Sequence, residues 1–348
     1  MAIYQCLKCQ NVWQYPIEKC PECFLELERV KSEKIKVIGV SKVTIPTMFH
    51  PKVPYFVLLL EDENGNKWVQ KSIKEYKIGD EFWTEATTDK NAVAVWRIKY
   101  DILEGIERVV ELIGGIDINQ SSKILILPTL VSAKHPYFAD NTSPKFLESL
   151  IQYLKEKGAK LENIKVCGQS FDEIPIEASA QKSQLLKVCQ GYKILPLDLA
   201  KTNFTKKTQD NFTFEISEEV FNSDLIINLP ILKMGRISAT ENVLKFLKKE
   251  NYLGLKYLSS DEEIIKNLNK VLPRYLTIAE ALSVQKSDRF VSHLNLVFSS
   301  FNSLNLDRVF AEICLSKELP ELLKKVKIED IPILGRKVEE LQFEVEKY

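Results

Sequence analysis

Lys123-Ile124-Leu125-Ile126-Leu127-Pro128 reads as a strand buried on both faces, an unbroken apolar run of strand length stopped by a proline that cannot extend a ladder. Outward from it, helices and strands alternate. On the N-terminal side Ile102, Ile106, Val109, Val110 and Ile113 recur at helical spacing and end at Gly114-Gly115. On the C-terminal side Ser143-Pro144 offers an N-cap and a first-turn proline. Leu147, Leu150, Ile151 and Leu154 make the apolar face that follows, and Gly158 ends it. Ile164-Lys165-Val166-Cys167-Gly168 is the next strand, and Tyr192 to Leu197 and Asp224 to Leu229 are two more; helices are expected at 240–249, 260–282 and 305–325. Strands separated by helices of this length predict βα units and a large α/β region, 91–348, with a mainly parallel sheet split into two lobes.

The opposite end of the chain is built differently. Cys6-Leu7-Lys8-Cys9 and Cys20-Pro21-Glu22-Cys23 are paired C-x2-C knuckles. Each brings two thiolates to one metal, and together Cys6, Cys9, Cys20 and Cys23 supply a closed tetrahedral site with Zn–S distances of about 2.3 Å. Such a rubredoxin-like zinc ribbon over 1–30 has no open position for substrate, so its metal is structural and supplies folding free energy. Iron takes the same four ligands. Residues 31–90 are strand-like. Gly39 interrupts Ile35-Lys36-Val37-Ile38-Gly39-Val40 and predicts a bulge. Tyr55 to Leu60, Asn64-Gly65, Lys67 to Gln70 and Glu81-Phe82-Trp83 predict a hairpin and a further strand, together a small OB-like β-barrel.

The chain of 348 residues carries 48 basic and 48 acidic side chains, a balance that gives bulk nucleic-acid binding no support. No apolar run is long enough to span a bilayer, and no charged-then-apolar leader opens the sequence, so a cytoplasmic, non-membrane location is expected. Seven cysteines without a leader argue against a disulfide scaffold; Cys167, Cys189 and Cys314 sit in apolar surroundings.

The ribbon, Gly39 in the first strand, Val53-Pro54-Tyr55-Phe56-Val57 and Ile78-Gly79-Asp80 resemble the acyl-CoA-associated zinc-ribbon/OB-fold family, domain of unknown function 35, over roughly residues 1–88. The resemblance implies a non-catalytic partner of thiolase-like or related acyl-CoA enzymes. From about residue 92 the order of segments resembles the domain of unknown function 362 family. The carriers are Ala92 to Trp96, the helix ending at Gly114-Gly115, Ile126-Leu127-Pro128-Thr129, Asn228-Leu229-Pro230-Ile231-Leu232-Lys233, and Leu244-Lys245-Phe246. Several polar family positions are changed: Leu127 stands for a lysine, Thr129 and Phe246 for asparagines, Gly235 for a frequent histidine, and Gln285-Lys286-Ser287-Asp288-Arg289 for a glycine-rich loop. A site so altered is poorly equipped for acid–base or metal chemistry.

Lys233 and Lys245 are the best-kept positions, on loops where α/β folds bind ligands, and suit a phosphate or carboxylate. Asn228 in the same loop, Ser170 in the weak phosphate-turn pattern Gly168-Gln169-Ser170, and His135 in the loop after the first core strand complete the candidate ligand set. His50, His135 and His293 have no partners at metal or triad spacing. The expectation is a zinc-binding accessory or scaffold protein in acyl-CoA metabolism, with a degenerate ligand-binding α/β domain. Two other readings stand beside it: an enzyme acting on an anionic small molecule through Lys233 and Lys245, and nucleic-acid binding through ribbon and barrel.

Overall fold

The computed structural model describes the chain apart from residues 1, 14–16, 18, 32–33, 49–52, 73–74, 82–86, 286–290, 317 and 347–348. The chain forms two compact units, Met1–Glu85 and Ala86–Tyr348.

In the first unit β1 (Ala2–Gln5), β2 (Val12–Trp13) and β3 (Glu28–Lys31) form an antiparallel sheet in the order β2-β1-β3. A second antiparallel sheet holds β4 (Ile35–Val43), β5 (Tyr55–Asp62) and β6 (Lys67–Ser72) in that order. Val37, Phe56, Leu58, Leu60 and Trp68 form its core. The β4–β5 register shifts between Val37 and Gly39, the irregularity expected at the glycine. The β5–β6 turn closes on Asp62, whose carboxylate accepts from the backbone N–H of Asn64 at 3.0 Å and of Asn66 at 2.8 Å. An isolated antiparallel bridge joins Lys36 to Glu81. The rest of the strand expected at Glu81-Phe82-Trp83 lies outside the described residues, as does His50.

The second unit is a sheet between helical layers. Its strands are β7 (Val93–Arg97), β8 (Ile124–Pro128), β9 (Ile164–Gly168), β10 (Leu197–Asp198), β11 (Phe204–Gln209), β12 (Phe212–Ser217), β13 (Leu225–Leu229), β14 (Leu276–Gln285), β15 (Val291–Ser300) and β16 (Ile333–Gly335). The helices are α1 (Ile102–Leu112), α2 (Pro144–Glu156), α3 (Ile176–Lys182), α4 (Leu185–Gly191), α5 (Glu218–Phe221), α6 (Ser238–Asn242), α7 (Lys249–Leu258), α8 (Asp261–Val271), α9 (Ser303–Ile313), α10 (Glu321–Lys324) and α11 (Val338–Glu346). Eight strands pair in the order β10-β9-β8-β13-β14-β15-β7-β16, and every neighbouring pair is parallel except β14–β15 and β15–β7. Strand β8 is buried throughout: Ile124 and Ile126 face one core cluster, Leu125 and Leu127 another. No helix among the described residues is long and apolar enough to cross a membrane.

Four expectations for single elements need correction. The helix read at 305–325 ends at Ile313, Leu315 takes a left-handed conformation at φ 51°, and a separate α10 begins at Glu321. The strand read at Tyr192 to Leu197 is only Leu197–Asp198, because α4 continues to Gly191 and Lys193 then takes a left-handed conformation at φ 57°. The helix read at 260–282 stops at Val271; Leu272-Pro273 breaks it and the next apolar run becomes β14. The helix read at 240–249 is α6, a 3-10 turn over Val243–Phe246 and the start of α7.

Chain direction reverses within the sheet. From β8 the chain moves through β9 to β10 on one side; from β13 it moves to β14 on the other. The β8–β13 pair is therefore a topological switch point, and the loops leaving its C-terminal ends open a crevice of the kind in which open α/β sheets bind ligands.

Candidate functional site

The four N-terminal cysteines lie on two knuckles of the same geometry. Cys6 N–H donates to Asn11 O at 3.0 Å, and Gln10 N–H returns to Cys6 O at 2.9 Å. Cys20 N–H donates to Leu25 O at 2.8 Å, and Phe24 N–H returns to Cys20 O at 2.8 Å. Gln10 and Phe24 hold matching left-handed conformations, φ 63° and 57°. The Sγ atoms of Cys6, Cys9, Cys20 and Cys23 lie within 4.8 Å of one another, and Cys9 and Cys20 approach to 3.6 Å. A tetrahedron with metal–sulfur distances of about 2.3 Å separates its sulfurs by about 3.8 Å. The thiols are free, and this cluster can hold a metal ion.

The switch-point crevice has a volume of about 410 Å³. Thr129 at the end of β8, Ile231 after β13, Phe171 after β9 and side chains of α6 and α7 line it. Lys233 reaches it from the β13 loop and Lys245 from the 3-10 turn. The turn is clipped to the β9 loop by Gln169, whose amide donates to Lys245 O at 2.9 Å and Leu247 O at 2.7 Å. Gly168 packs closely there: a Cβ would lie 3.1 Å from the end of the Ile176 side chain, which would have to shift by a few tenths of an ångström.

Four cations line the crevice: Lys233, Arg236, Lys245 and Lys256. Two are neutralised locally. Lys233 pairs with Asp140 at 3.4 Å, and Lys256 pairs with Asp261 at 3.0 Å. Both Lys256 and Asp261 also engage the Tyr252 hydroxyl, which accepts from the lysine at 3.4 Å and donates to the carboxylate at 3.1 Å. Lys245 and Arg236, among the described residues, have no carboxylate within ion-pair distance. The Lys245 ammonium sits 3.8 Å from the Phe171 ring centroid, and Phe171 stacks on Tyr252 at 4.7 Å. Burial pushes Lys245 down to about 8, with Asp172 opposing the shift. Burial also lowers Lys233, against the pull of Asp140, and raises Glu241.

A fully buried polar chain supports the crevice from below. Thr129 Oγ1 donates to Asn242 Oδ1 at 3.2 Å and accepts from Ile231 N–H at 3.3 Å. Asn242 donates to Asn228 Oδ1 at 2.8 Å and to Leu127 O at 3.0 Å. Asn228 donates to Ala239 O at 2.8 Å and to Thr277 Oγ1 at 3.2 Å. Two buried carboxyls brace the same region. Asp307 on α9 accepts from the N–H groups of Ala239 at 3.0 Å and Thr240 at 2.8 Å, while burial raises it to about 7. Glu280 on β14 accepts from Ser143 N–H, and burial raises it to about 8.

The sequence-derived ligand set thus divides. Lys233 and Lys245 line one crevice. Asn228 is fully buried beneath it. Ser170 does not line it, and its hydroxyl donates to Asp172 at 2.6 Å. His135 caps a 3-10 turn by accepting from Tyr137 N–H at 3.3 Å, lies 3.1 Å from the Gln184 amide nitrogen, and is not among the crevice residues. Arg236 was not legible as a site residue. It reaches the crevice because Gly235, at φ +72°, turns the chain after Lys233. Three of the changed family positions are structural here: Leu127 and Phe246 belong to a core cluster, and the Thr129 hydroxyl is spent on two internal bonds; Lys286-Ser287-Asp288-Arg289 of the changed loop lie outside the described residues.

The family model described as Domain of unknown function (DUF362) matches residues 124–312, more than half of the chain and the whole span that forms the crevice. The chain belongs to this family. No curated protein matches it. A solved structure named "Ltp2-ChsH2(DUF35) aldolase" is similar at 20% identity and a TM-score of 0.20, over 29% of this chain and 76% of that one. The likeness is to the same protein class as the N-terminal resemblance, and at that score it carries no argument.

Proposed function

We propose that this chain is a metal-binding accessory protein of acyl-CoA metabolism whose α/β domain binds an anionic small molecule in the switch-point crevice. The observation that carries the binding role is the pair of cations, Lys245 and Arg236, that line the crevice with no carboxylate within ion-pair distance among the described residues; Asp172 and Glu241 act on them only at longer range. Cations left unpaired in a concave site are available to a ligand's phosphate or carboxylate. Phe171 and Tyr252 supply an apolar wall beside them. Acyl-CoA fits this chemistry through its phosphates, and it is the ligand class that the ribbon and barrel resemblance implies.

In this reading Cys6, Cys9, Cys20 and Cys23 bind zinc as a structural clip, and the sheet β4-β5-β6 belongs to an OB-like barrel that presents a surface to a thiolase-like enzyme. The role is one of binding and bridging, with Leu127 and Phe246, two of the altered family positions, packed in the core. Titration calorimetry of the full chain with acetyl-CoA tests it. Binding weakened at least tenfold by Lys245→Glu is expected. Absence of binding, or binding indifferent to that substitution, overturns the ligand role.

A further inference from the structure

A larger cavity, of about 900 Å³, lies beside the crevice: Thr240 lines it where Glu241 and Asn242 line the crevice, and Glu262 lines it where Asp261 lines the crevice. It opens where β14 begins and β15 ends. Residues of α8, α9 and α10 form its walls. No part of the proposed acyl-CoA role uses it.

Its charge is uneven. Lys90, Lys266, Arg274 and Lys325 line it against two carboxylates, Glu262 and Glu263. Lys325 pairs with Glu262 at 3.5 Å. Arg274 has no carboxylate within ion-pair distance among the described residues. Its guanidinium instead stacks on Phe301, 3.8 Å from the ring centroid. Stacking fixes the plane of an arginine and leaves its in-plane N–H donors for a ligand, in the fork that fits phosphate oxygens in pairs.

Two further features converge on the same space. The eleven-residue helix α9 points its N-terminus there: Asn302, its N-cap, and Ser303 and Leu304 line the cavity. That end is capped: the Asn302 side chain accepts from Asn305 N–H at 3.2 Å, and Asn302 N–H donates to Ser300 Oγ at 2.9 Å. The buried polar chain beneath the crevice also ends here. Thr277 and Ser303 share a hydrogen bond of 2.7 Å, the Ser303 hydroxyl lies 3.3 Å from Tyr275 Oη, and Tyr275 donates to Asn269 Oδ1 at 2.8 Å. Tyr275, Ser303 and Asn269 line the cavity, so its floor is held in place by bonds that run across the interior.

We infer that this cavity is a second anion site, taking a phosphate-type group on Arg274 with Lys266 beside it. Inorganic pyrophosphate is the probe, titrated calorimetrically into the full chain at low salt. Two equivalents are expected to bind. Arg274→Glu removes one; Arg274→Lys, which keeps the charge and loses the fork, weakens that one at least tenfold. Arg274 is exposed, so both variants keep the wild-type melting temperature. Lys266→Glu, on the neighbouring helix, weakens the same equivalent. Stoichiometry and affinity unchanged by Arg274→Glu and Lys266→Glu overturn the second site and leave the crevice standing. A crevice that fails instead shows as an equivalent insensitive to Lys245→Glu, with the Arg274-dependent one intact.

Discussion

Asn242 donates its side-chain N–H to Asn228 Oδ1 at 2.8 Å in a place where both residues are buried. This bond ties α6 to β13, and the bonds on either side extend it from Thr129 at the crevice to Asn269 on α8, in the larger cavity. The donors run one way: Thr129 to Asn242, Asn242 to Asn228, Asn228 to Thr277, and onward. Two links are carboxamides, which do not pass protons along as hydroxyls do, so the chain positions loops and does not conduct. Asn228→Leu takes one hydrogen-bond partner each from the buried Asn242 amide, the Thr277 hydroxyl and the Ala239 carbonyl. Each such group costs about 1–3 kcal/mol. Urea unfolding of the variant is expected to show a loss of about 3 kcal/mol; a change below about 0.5 kcal/mol means that the chain is not structural.

The cysteine cluster predicts one zinc per chain by mass spectrometry of the purified protein. Cys20→Ser removes a buried ligand and is expected to drop the metal content to near zero. Because a site with this few surrounding apolar residues folds on its metal, chelation should lower protection of the Met1–Glu85 amides in hydrogen exchange and leave those of the β8 and β13 strands unchanged. Bound iron in the purified protein would reassign the metal, and full protection after chelation would remove the structural role.

Lys245 predicts a pH dependence of ligand binding. Burial holds its pKa near 8, below the usual lysine value, so the ammonium is present at pH 7 and lost as pH rises through about 8. Acetyl-CoA affinity should therefore fall between pH 7 and 9. Lys245→Arg keeps its charge throughout this range, and should bind with a flat profile. A wild-type profile equally flat would show that Lys245 does not touch the anion.

How far the sequence led can be judged residue by residue. The run Lys123–Pro128 was legible because a strand buried on both faces leaves an unbroken apolar signature, and the knuckles were legible because C-x2-C pairs have few other uses. The pair α8 and β14 was not separable from one helix: Ile264, Ile265, Leu268 and Val271 run straight on to Leu276 and Ile278, and Pro273 was the lone punctuation. Lys233 and Lys245 could be named from their segments, but the fact that they share a crevice is long-range information. Arg236 depends on a single turn, and Asn228 gave no sign that it sits under the crevice instead of in it.

The last prediction concerns Glu280, whose carboxyl is fully buried with Oε2 unpartnered. Burial raises its pKa from an ordinary 4.5 to about 8 in the folded chain. An acid with a raised folded pKa binds more protons folded than unfolded between those two values. Its contribution to stability is complete below about pH 4.5 and is lost as pH rises toward 8, with a limiting slope of about 1.4 kcal/mol per pH unit for one proton. Asp307, raised to about 7, adds in the same direction over a lower window. Glu280→Gln keeps an acceptor for Ser143 N–H and cannot ionise. Measured by urea unfolding from pH 5 to 8.5, wild type should lose stability with rising pH more steeply than the variant, and the variant should be the more stable of the two at pH 8.5. Parallel curves would mean that Glu280 does not change its protonation between folded and unfolded chains in this range.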